Sequence, residues 1–302
     1  MIEAGVTRRS RVMRAAAALA LAALAALGLL GCGGGDDGPA LSVQRDVSYG
    51  AGLMLDAYVP DDGATGRRAV LLFHGGAWRG GNRTLMEPYA IAAAERGMVA
   101  FTIGYRTNAP RVFPDQLIDG QLAVTWVRQH AAEYGVDPAR VGLLGASAGA
   151  HLAALIGTAG SGPLTEGTRV KAVASWSGPM DLVALLRPDP TFPPGCGPPG
   201  CLSASDWQIL LQGVVGCRLV DCIGTYVALS PVSAVTPDDS PMLLVNGVDE
   251  LTVPVEQAVE MRRKLRGAGV PYEMLLVPGT EHAAGYADAA LEPTLDFFER
   301  RL

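Results

Sequence analysis

A serine enclosed by glycines lies in the stretch of this sequence that is best suited to chemistry. Ser147 is the central residue of a Gly-Ala-Ser-Ala-Gly segment, the pattern G-x-S-x-G at residues 145–149. The apolar run Val141–Leu144 precedes this segment, and a run rich in alanine and leucine follows it. A buried strand, a tight turn and a helix in this order are typical of a nucleophile elbow, which presents a serine hydroxyl for attack on an acyl carbon. The pattern therefore predicts Ser147 as a nucleophile.

A serine nucleophile needs a general base, and the chain holds four histidines. His130 falls near the end of a predicted helix, where we expect a solvated side chain. His151 lies one helical turn after Ser147, which predicts a buried and hydrogen-bonded ring. His74 opens a glycine loop, and we expect its ring to brace that loop. His282 follows the last predicted strand, at the edge where active sites of open parallel sheets form, so position and elimination favour His282 as the base.

A pair of glycines follows another predicted strand, one that we expect to lie next to the nucleophile strand. Gly75 and Gly76 allow main-chain N–H groups to turn toward a common point, as an oxyanion hole requires. The other interpretation is a plain turn at the end of a strand. Trp78 follows this loop and is suited either to a wall of an acyl pocket or to packing.

Strand and helix patterns alternate along residues 41–302, which predicts an α/β domain with a mostly parallel central sheet and helices on both faces. The predicted strands are Leu41–Tyr49, Leu53–Val59, Ala69–Phe73, Met98–Ile103, Val141–Leu144, Val170–Trp176, Met242–Asn246 and Tyr272–Val277. The predicted helices are Leu85–Arg96, Leu117–Tyr134, Leu182–Leu186, Val255–Arg266 and Leu291–Arg300, together with the helix after the serine.

The periodicity fails between about residues 187 and 224, where prolines and four of the five cysteines are concentrated. We interpret this stretch as an insertion over one edge of the domain, placed to overhang the site and influence substrate choice. An even number of cysteines in an exported chain favours two disulfides among Cys196, Cys201, Cys217 and Cys222, with three possible connectivities. A zinc site and free thiols are the alternatives.

The first 31 residues have the pattern of a bacterial lipoprotein signal peptide. Arginines precede the apolar stretch Ala15–Leu30, and the Leu-Leu-Gly-Cys sequence ending at Cys32 resembles a lipobox. In lipoproteins the cleavage falls before this cysteine, which is then acylated. The glycine-rich residues 32–40 read as a flexible tether. We therefore expect an exported protein that a lipid holds to a membrane. An ordinary signal peptide with a chance cysteine is the alternative.

Length and charge restrict the classes of function that remain. The 302 residues suit one large α/β domain or two small ones, and 49% of them are hydrophobic, which argues against extensive disorder. The formal net charge is −6, and no basic block follows residue 31. This charge pattern argues against nucleic acid as a partner. The oligomeric state cannot be read from the sequence.

Several short motifs stand in a characteristic order along the chain. They are His74-Gly75-Gly76-Ala77-Trp78, Tyr105-Arg106, Phe113-Pro114, Asp119, Tyr134-Gly135-Val136-Asp137-Pro138, residues 145–153, and Gly247 followed by Val253-Pro254. In this order they resemble the esterase/lipase branch of the α/β-hydrolase superfamily, most of all the small feruloyl-esterase-like and kynurenine-formamidase-like carboxylesterases. The resemblance covers residues 45–302 apart from the insertion. It implies an oxyanion hole made by the amide of Ala148 and two amides among Gly75, Gly76 and Ala77.

Two adjacent carboxylates compete for the third position of a catalytic triad. Asp249 and Glu250 both follow the strand predicted at Met242–Asn246. Relatives in this branch have the acid three residues after a glycine and three residues before Val-Pro. Counting from Gly247 and from Val253 leads to Glu250 in both cases. The resemblance therefore favours Glu250, with Asp249 as the alternate acid.

These residues together predict a serine hydrolase that cleaves small-molecule carboxylic esters through an acyl-Ser147 intermediate. His282 is expected to take the serine proton and return it to the leaving alcohol, and no metal or organic cofactor is required. Two alternatives remain open, because a triad does not encode the leaving group. One is a peptidase or amidase of the same fold, and the other is a surface-anchored binding protein on a hydrolase scaffold without activity.

Overall fold

A mostly parallel sheet forms the centre of the domain. The computed structural model describes residues 40–50, 52–107, 113–187 and 202–302. Eight strands are present in these ranges: β1 (Leu41–Gly50), β2 (Leu53–Pro60), β3 (Arg67–Phe73), β4 (Val99–Ile103), β5 (Val136–Ala146), β6 (Ala172–Trp176), β7 (Met242–Gly247) and β8 (Tyr272–Val277). The helices of the same ranges are α1 (Glu87–Glu95), α2 (Asp115–Gln129), α3 (Ala148–Ala159), α4 (Ala204–Val215), α5 (Leu219–Ala228), α6 (Pro231–Ala234), α7 (Glu256–Ala268) and α8 (Ala287–Arg301).

The strand order places the predicted nucleophile strand in the middle of the sheet. The order is β1-β2-β4-β3-β5-β6-β7-β8. β1 and β2 pair antiparallel, β2 and β4 pair antiparallel, and all pairs from β4 to β8 are parallel. The loops that follow β3, β5, β6, β7 and β8 therefore leave the sheet at one edge, where side chains from distant parts of the sequence meet.

Helices cover both faces of this sheet. On one face, α1 and α8 contribute buried side chains such as Ala90 and Phe298. On the other face, α2, α3 and α7 contribute Val124, Leu155 and Met261 among others. The predicted α/β class, with a mostly parallel sheet and helices on both faces, is confirmed.

Several boundaries differ from the predicted ones. β5 begins at Val136 rather than Val141, and α2 ends at Gln129 although its apolar periodicity continues to Tyr134. Tyr134 is 3% exposed, so it extends the buried face of the helix while the backbone already forms turns. An apolar pattern records which side chains are buried, and burial continues beyond the end of this helix.

The second half of the stretch in which the sequence periodicity fails is helical. Residues 204–228 form α4 and α5, while residues 188–201 lie outside the described ranges. The start of α4 is fixed by a capping box, in which the side chains of Ser203 and Asp206 each accept from the other residue's amide. Gly216 ends the helix in the left-handed conformation. The periodicity was hidden because apolar side chains occur on both sides of the pair, with Trp207 buried and Ile209 exposed.

One disulfide is present in the described part of the insertion. It joins Cys217 to Cys222, five residues apart in sequence. Cys196 and Cys201 lie outside the described ranges, as does Cys32, so their bonding stays a prediction. No single helix of the described residues has both the length and the apolar character to cross a membrane, although α4 and α5, bent by 72°, meet those criteria as a pair.

Candidate active site

A strained turn presents Ser147 between β5 and α3. Its backbone has φ 55° and ψ −119°, a conformation that residues with a Cβ rarely adopt. The flanking glycines are required by close backbone contacts. A Cβ on Gly145 would lie 2.2 Å from the carbonyl oxygen of Gly149, and a Cβ on Gly149 would lie 2.1 Å from that of Phe73. The G-x-S-x-G pattern thus has a direct steric cause.

The ring of His282 meets the serine hydroxyl. His282 lies five residues after the end of β8, and its Nε2 is 2.8 Å from Ser147 Oγ. Its Nδ1 is in hydrogen-bond contact with Glu250 Oε1. An ionised carboxylate is only an acceptor, so it holds the ring hydrogen on Nδ1 and leaves Nε2 free to accept the hydrogen of Ser147.

The two adjacent carboxylates have opposite environments. The side chain of Glu250 is fully buried, whereas Asp249 is exposed to solvent. Glu250 Oε1 also accepts from the amide of Val253 over 3.0 Å. The other oxygen, Oε2, accepts from Ser177 Oγ over 2.6 Å and from Asn246 Nδ2 over 3.1 Å. Of the two carboxylates, the one that the spacing favoured is the one in contact with the histidine.

The glycine loop after β3 passes beside the serine. A Cβ on Gly75 would lie 3.2 Å from Ser147 Cβ, so this backbone approaches the elbow more closely than another residue type would allow. Gly76 and Ala77 have φ of 124° and 53°, and both are exposed. In the described part of the chain, the amides of Gly76, Ala77 and Ala148 donate to no other protein group. Free amides near a serine can donate hydrogen bonds to an oxygen that develops negative charge.

Two of the remaining histidines, His74 and His130, stack on aromatic rings. His74 is buried and stacks on Tyr105 with ring centroids 4.3 Å apart, and its Nδ1 contacts the Gly75 carbonyl over 2.7 Å. Burial lowers its pKa. Its predicted role in bracing the loop is confirmed. His130 is half-buried and stacks on Trp126, so the expected solvated surface position is only partly correct.

His151 joins three parts of the molecule. Its Nδ1 accepts from the indole of Trp78 over 3.2 Å, and its Nε2 lies 2.8 Å from the carbonyl oxygen of Leu229. The residue is fully buried, and burial lowers its pKa to about 4. The predicted buried, hydrogen-bonded ring is confirmed. Trp78 is 1% exposed, so its role is packing.

The insertion lies against the glycine loop and the acid loop. The rings of Trp207 and Trp78 pack edge to face with centroids 6.3 Å apart. The amide of Leu202 donates to the carbonyl of Leu251, next to Glu250, over 3.3 Å. We call residues 202–229, which contain α4 and α5, the cap. Within the described ranges, no group of three or more His, Cys, Asp and Glu side chains is arranged to hold a metal ion.

Sequence reasoning missed the residues that support the carboxylate. Ser177 directly follows β6, and Asn246 lies in β7, without any local motif around either. A third residue, Tyr286, lies after His282 and contacts Ser177 Oγ over 2.6 Å. Their position is the only sequence signal that could have identified any of them. Ser177 and Asn246 lie at or near the carboxyl end of a predicted strand.

Comparison with known proteins places this chain in a family. The family model described as BD-FAE matches residues 55–265. Esterase LipQ of Mycobacterium tuberculosis is 32% identical over 253 residues, which are 79% of this chain and 56% of LipQ. The probable carboxylic ester hydrolase LipM of the same organism is 31% identical over 78% of this chain and 54% of its own length. This chain thus spans about half the length of these curated relatives.

Solved structures of similar fold carry related descriptions. A truncated carbohydrate esterase from gut microbiota superposes with a TM-score of 0.72 at 25% identity, over 89% of this chain and 99% of that one. A butyrate-bound esterase, Est2 of Thermogutta terrifontis, superposes with a TM-score of 0.64 at 26% identity, over 87% and 93%. The matched residues contain the elbow and the glycine loop, and the chain belongs to the BD-FAE family of α/β-hydrolase-fold proteins.

Proposed function

We propose that this protein is a serine hydrolase that cleaves carboxylic esters, with Ser147 as nucleophile, His282 as general base and Glu250 as the acid. One observation carries the proposal. The hydroxyl of Ser147, the ring of His282 and the carboxylate of Glu250 form a continuous hydrogen-bonded chain whose first link spans 2.8 Å. That chain is the arrangement that activates a serine hydroxyl at neutral pH.

The reaction follows from the positions of these groups. Ser147 Oγ attacks the ester carbonyl carbon while His282 Nε2 takes the hydroxyl proton, and Glu250 stabilises the imidazolium that results. The carbonyl oxygen gains negative charge and accepts from the amide of Ala148 and from two amides of the stretch Gly75–Ala77. His282 then gives its proton to the leaving alkoxide. Water attacks the acyl-serine by the same route, and the carboxylic acid leaves.

The names of similar proteins support the ester as the substrate class. LipQ and LipM are described as an esterase and a probable carboxylic ester hydrolase, and a solved neighbour holds butyrate. We infer that this chain prefers esters of short acyl chains. Since the chain spans about half of the curated relatives, their activity is carried over here as a proposal.

A panel of substrates tests this function. Nitrophenyl esters with acyl chains of increasing length are compared with nitroanilides of the same acyl groups, so that only the leaving atom differs. We expect hydrolysis of the esters, fastest for short chains, and little cleavage of the anilides. Equal or faster cleavage of the anilides would instead assign the protein to the amidases.

We also propose that the mature protein begins at Cys32 and is held to a membrane by lipid on that residue, as the lipobox-like sequence suggests. Metabolic labelling with palmitate tests this proposal. The label should appear in the native chain and be lost in Cys32→Ala. A mature N-terminus mapped at any other residue would refute it.

A further inference from the structure

A second serine lies beside Ser147 at the same level of the sheet edge. β5 and β6 run parallel with Ala146 opposite Trp176, so Ser147 and Ser177 are the first residues beyond two paired strand ends. Their amides make equivalent bonds. Ser147 donates to the carbonyl of Trp176 and Ser177 donates to that of Val245, each over 2.8 Å. Neighbouring strands therefore each lead into a serine that is held in the same way.

The backbone of Ser177 is strained like that of the nucleophile. Its φ is 52°, close to the 55° of Ser147, and its side chain is fully buried. A residue with a Cβ persists in this region only where the surrounding contacts impose it. Glycine would adopt the conformation without strain. The hydroxyl of a serine that is buried in this conformation needs hydrogen-bond partners.

The hydroxyl of Ser177 is directed at the proposed catalytic acid. Its Oγ is 2.6 Å from Glu250 Oε2 and 2.6 Å from the hydroxyl of Tyr286. A carboxylate cannot donate, so the hydrogen of Ser177 lies toward Glu250, and the phenol of Tyr286 shares its hydrogen between Ser177 Oγ and the carbonyl of Val245, 3.1 Å away. Burial, together with the charge of Glu250, raises the pKa of Tyr286 well above its usual value, so the phenol keeps its hydrogen. The amide of Ala283 donates to the same oxygen of Ser177 over 3.1 Å.

We infer that Ser177 is a positioning residue of the proposed reaction, which orients Glu250 toward His282. This inference rests on the proposed function. Ser177 and Asn246 hold Oε2, which leaves Oε1 to face the ring. Ser177 acts through the carboxylate and not on the substrate. The titratable groups that contact or adjoin Glu250 in the described structure are His282 after β8, Tyr286 before α8 and the exposed Asp249 on its own loop.

The replacement Ser177→Ala measures this role. We expect kcat to fall about tenfold to hundredfold with KM little changed, because a hydrogen bond to a charged group is lost and substrate is not contacted. The low-field proton signal of the His282 ring should also shift, because that proton lies in the contact between the ring and Glu250.

Two further variants separate positioning from folding. Ser175→Ala is the matched control, because Ser175 is buried in β6 and, among the described residues, its hydroxyl has no hydrogen-bond partner. We expect this variant to keep the native rate and the native low-field proton signal of the His282 ring. Ser177→Gly relieves the backbone strain and also removes the hydroxyl. We expect it to melt no lower than Ser177→Ala and to show the same kinetic defect.

The outcomes distinguish this inference from the proposed function. If Ser147→Ala abolishes turnover while both Ser177 variants keep the native rate and the native low-field proton signal of the His282 ring, the positioning role of Ser177 is overturned and the triad stands. If Ser147→Ala keeps turnover, the proposed function fails. In that case the low-field proton signal of the His282 ring tests whether Ser177 positions Glu250, since the signal reports the contact between the ring and Glu250 without any reaction. The signal should shift in Ser177→Ala, and an unchanged signal overturns the inference.

Discussion

The edge of the sheet and the cap are built on different principles. At the edge, main-chain geometry sets each reactive side chain, through the turn at Ser147, the glycine loop and the ends of parallel strands. The cap is held mainly by side-chain packing and leaves apolar groups in solvent, with Val220 81% exposed. Chemistry that depends on exact positions is therefore expected to fail with single changes at the edge. The cap is expected to tolerate such changes.

The largest effect is predicted for the two neighbouring carboxylates at the sheet edge. Glu250→Gln keeps the shape of the side chain but removes its charge and its acceptor role toward His282, so kcat should fall roughly 10³-fold to 10⁴-fold. Asp249→Asn is the matched control and should change kcat by no more than about twofold, because Asp249 is exposed. Steady-state kinetics on one ester compare them. A large loss of kcat in Asp249→Asn with little loss in Glu250→Gln would make Asp249 the acid. It would also show that the buried carboxylate takes no part in catalysis.

A pH-dependent effect is predicted for His151, which connects the elbow helix to the end of the cap. Its pKa in the folded chain is about 4, below the unfolded value near 6.5. The unfolded chain therefore binds the proton more readily between these values. The free energy of unfolding should fall by roughly 3 kcal/mol as the pH drops from about 6.5 to about 4, with no further loss from this group below that.

Urea unfolding at a series of pH values measures this contribution. His151→Gln should lose the part of the slope that belongs to the histidine, although the variant is less stable at every pH. A native slope in the His151 variant would mean that the ring is not held neutral between the cap and the elbow.

A smaller effect is predicted for the cap disulfide. Cys217 and Cys222 close a loop of six residues, for which the chain-entropy relation gives about 2 kcal/mol. The double variant Cys217→Ser with Cys222→Ser should therefore melt a few degrees lower. Its kcat on a short ester should stay within about twofold of the native value, because the cap does not place the triad. A loss of kcat as large as that of Glu250→Gln would remove the distinction between cap and edge.

The sheet edge and the cap also differ in how much of each could be predicted from the sequence. Features with a local steric cause were readable. Gly145 is required by a contact within the elbow and Gly149 by a contact with the adjoining end of β3, and the fold class followed from alternating patterns. Glu250 could be favoured because it stands at a fixed distance from Gly247 and Val253, residues that shape its loop.

Features that depend on tertiary contacts were not readable. The capping box at Ser203 is a short signal, and it was outweighed by the prolines that precede it and by apolar residues on both sides of α4 and α5. Ser177 carries no motif, since its contact with Glu250 spans 73 residues of sequence and arises only when β6 and β7 pair. The register between two strands determines that contact, and a single sequence does not contain it.

The position of a covalent adduct identifies the nucleophile. The purified protein is treated with a fluorophosphonate probe and digested, and the labelled peptide is identified by mass spectrometry. We expect a single adduct on Ser147, formed in step with the loss of ester hydrolysis, and no adduct in Ser147→Ala. An adduct on another residue, or ester hydrolysis that continues in Ser147→Ala at the native rate, would contradict this expectation.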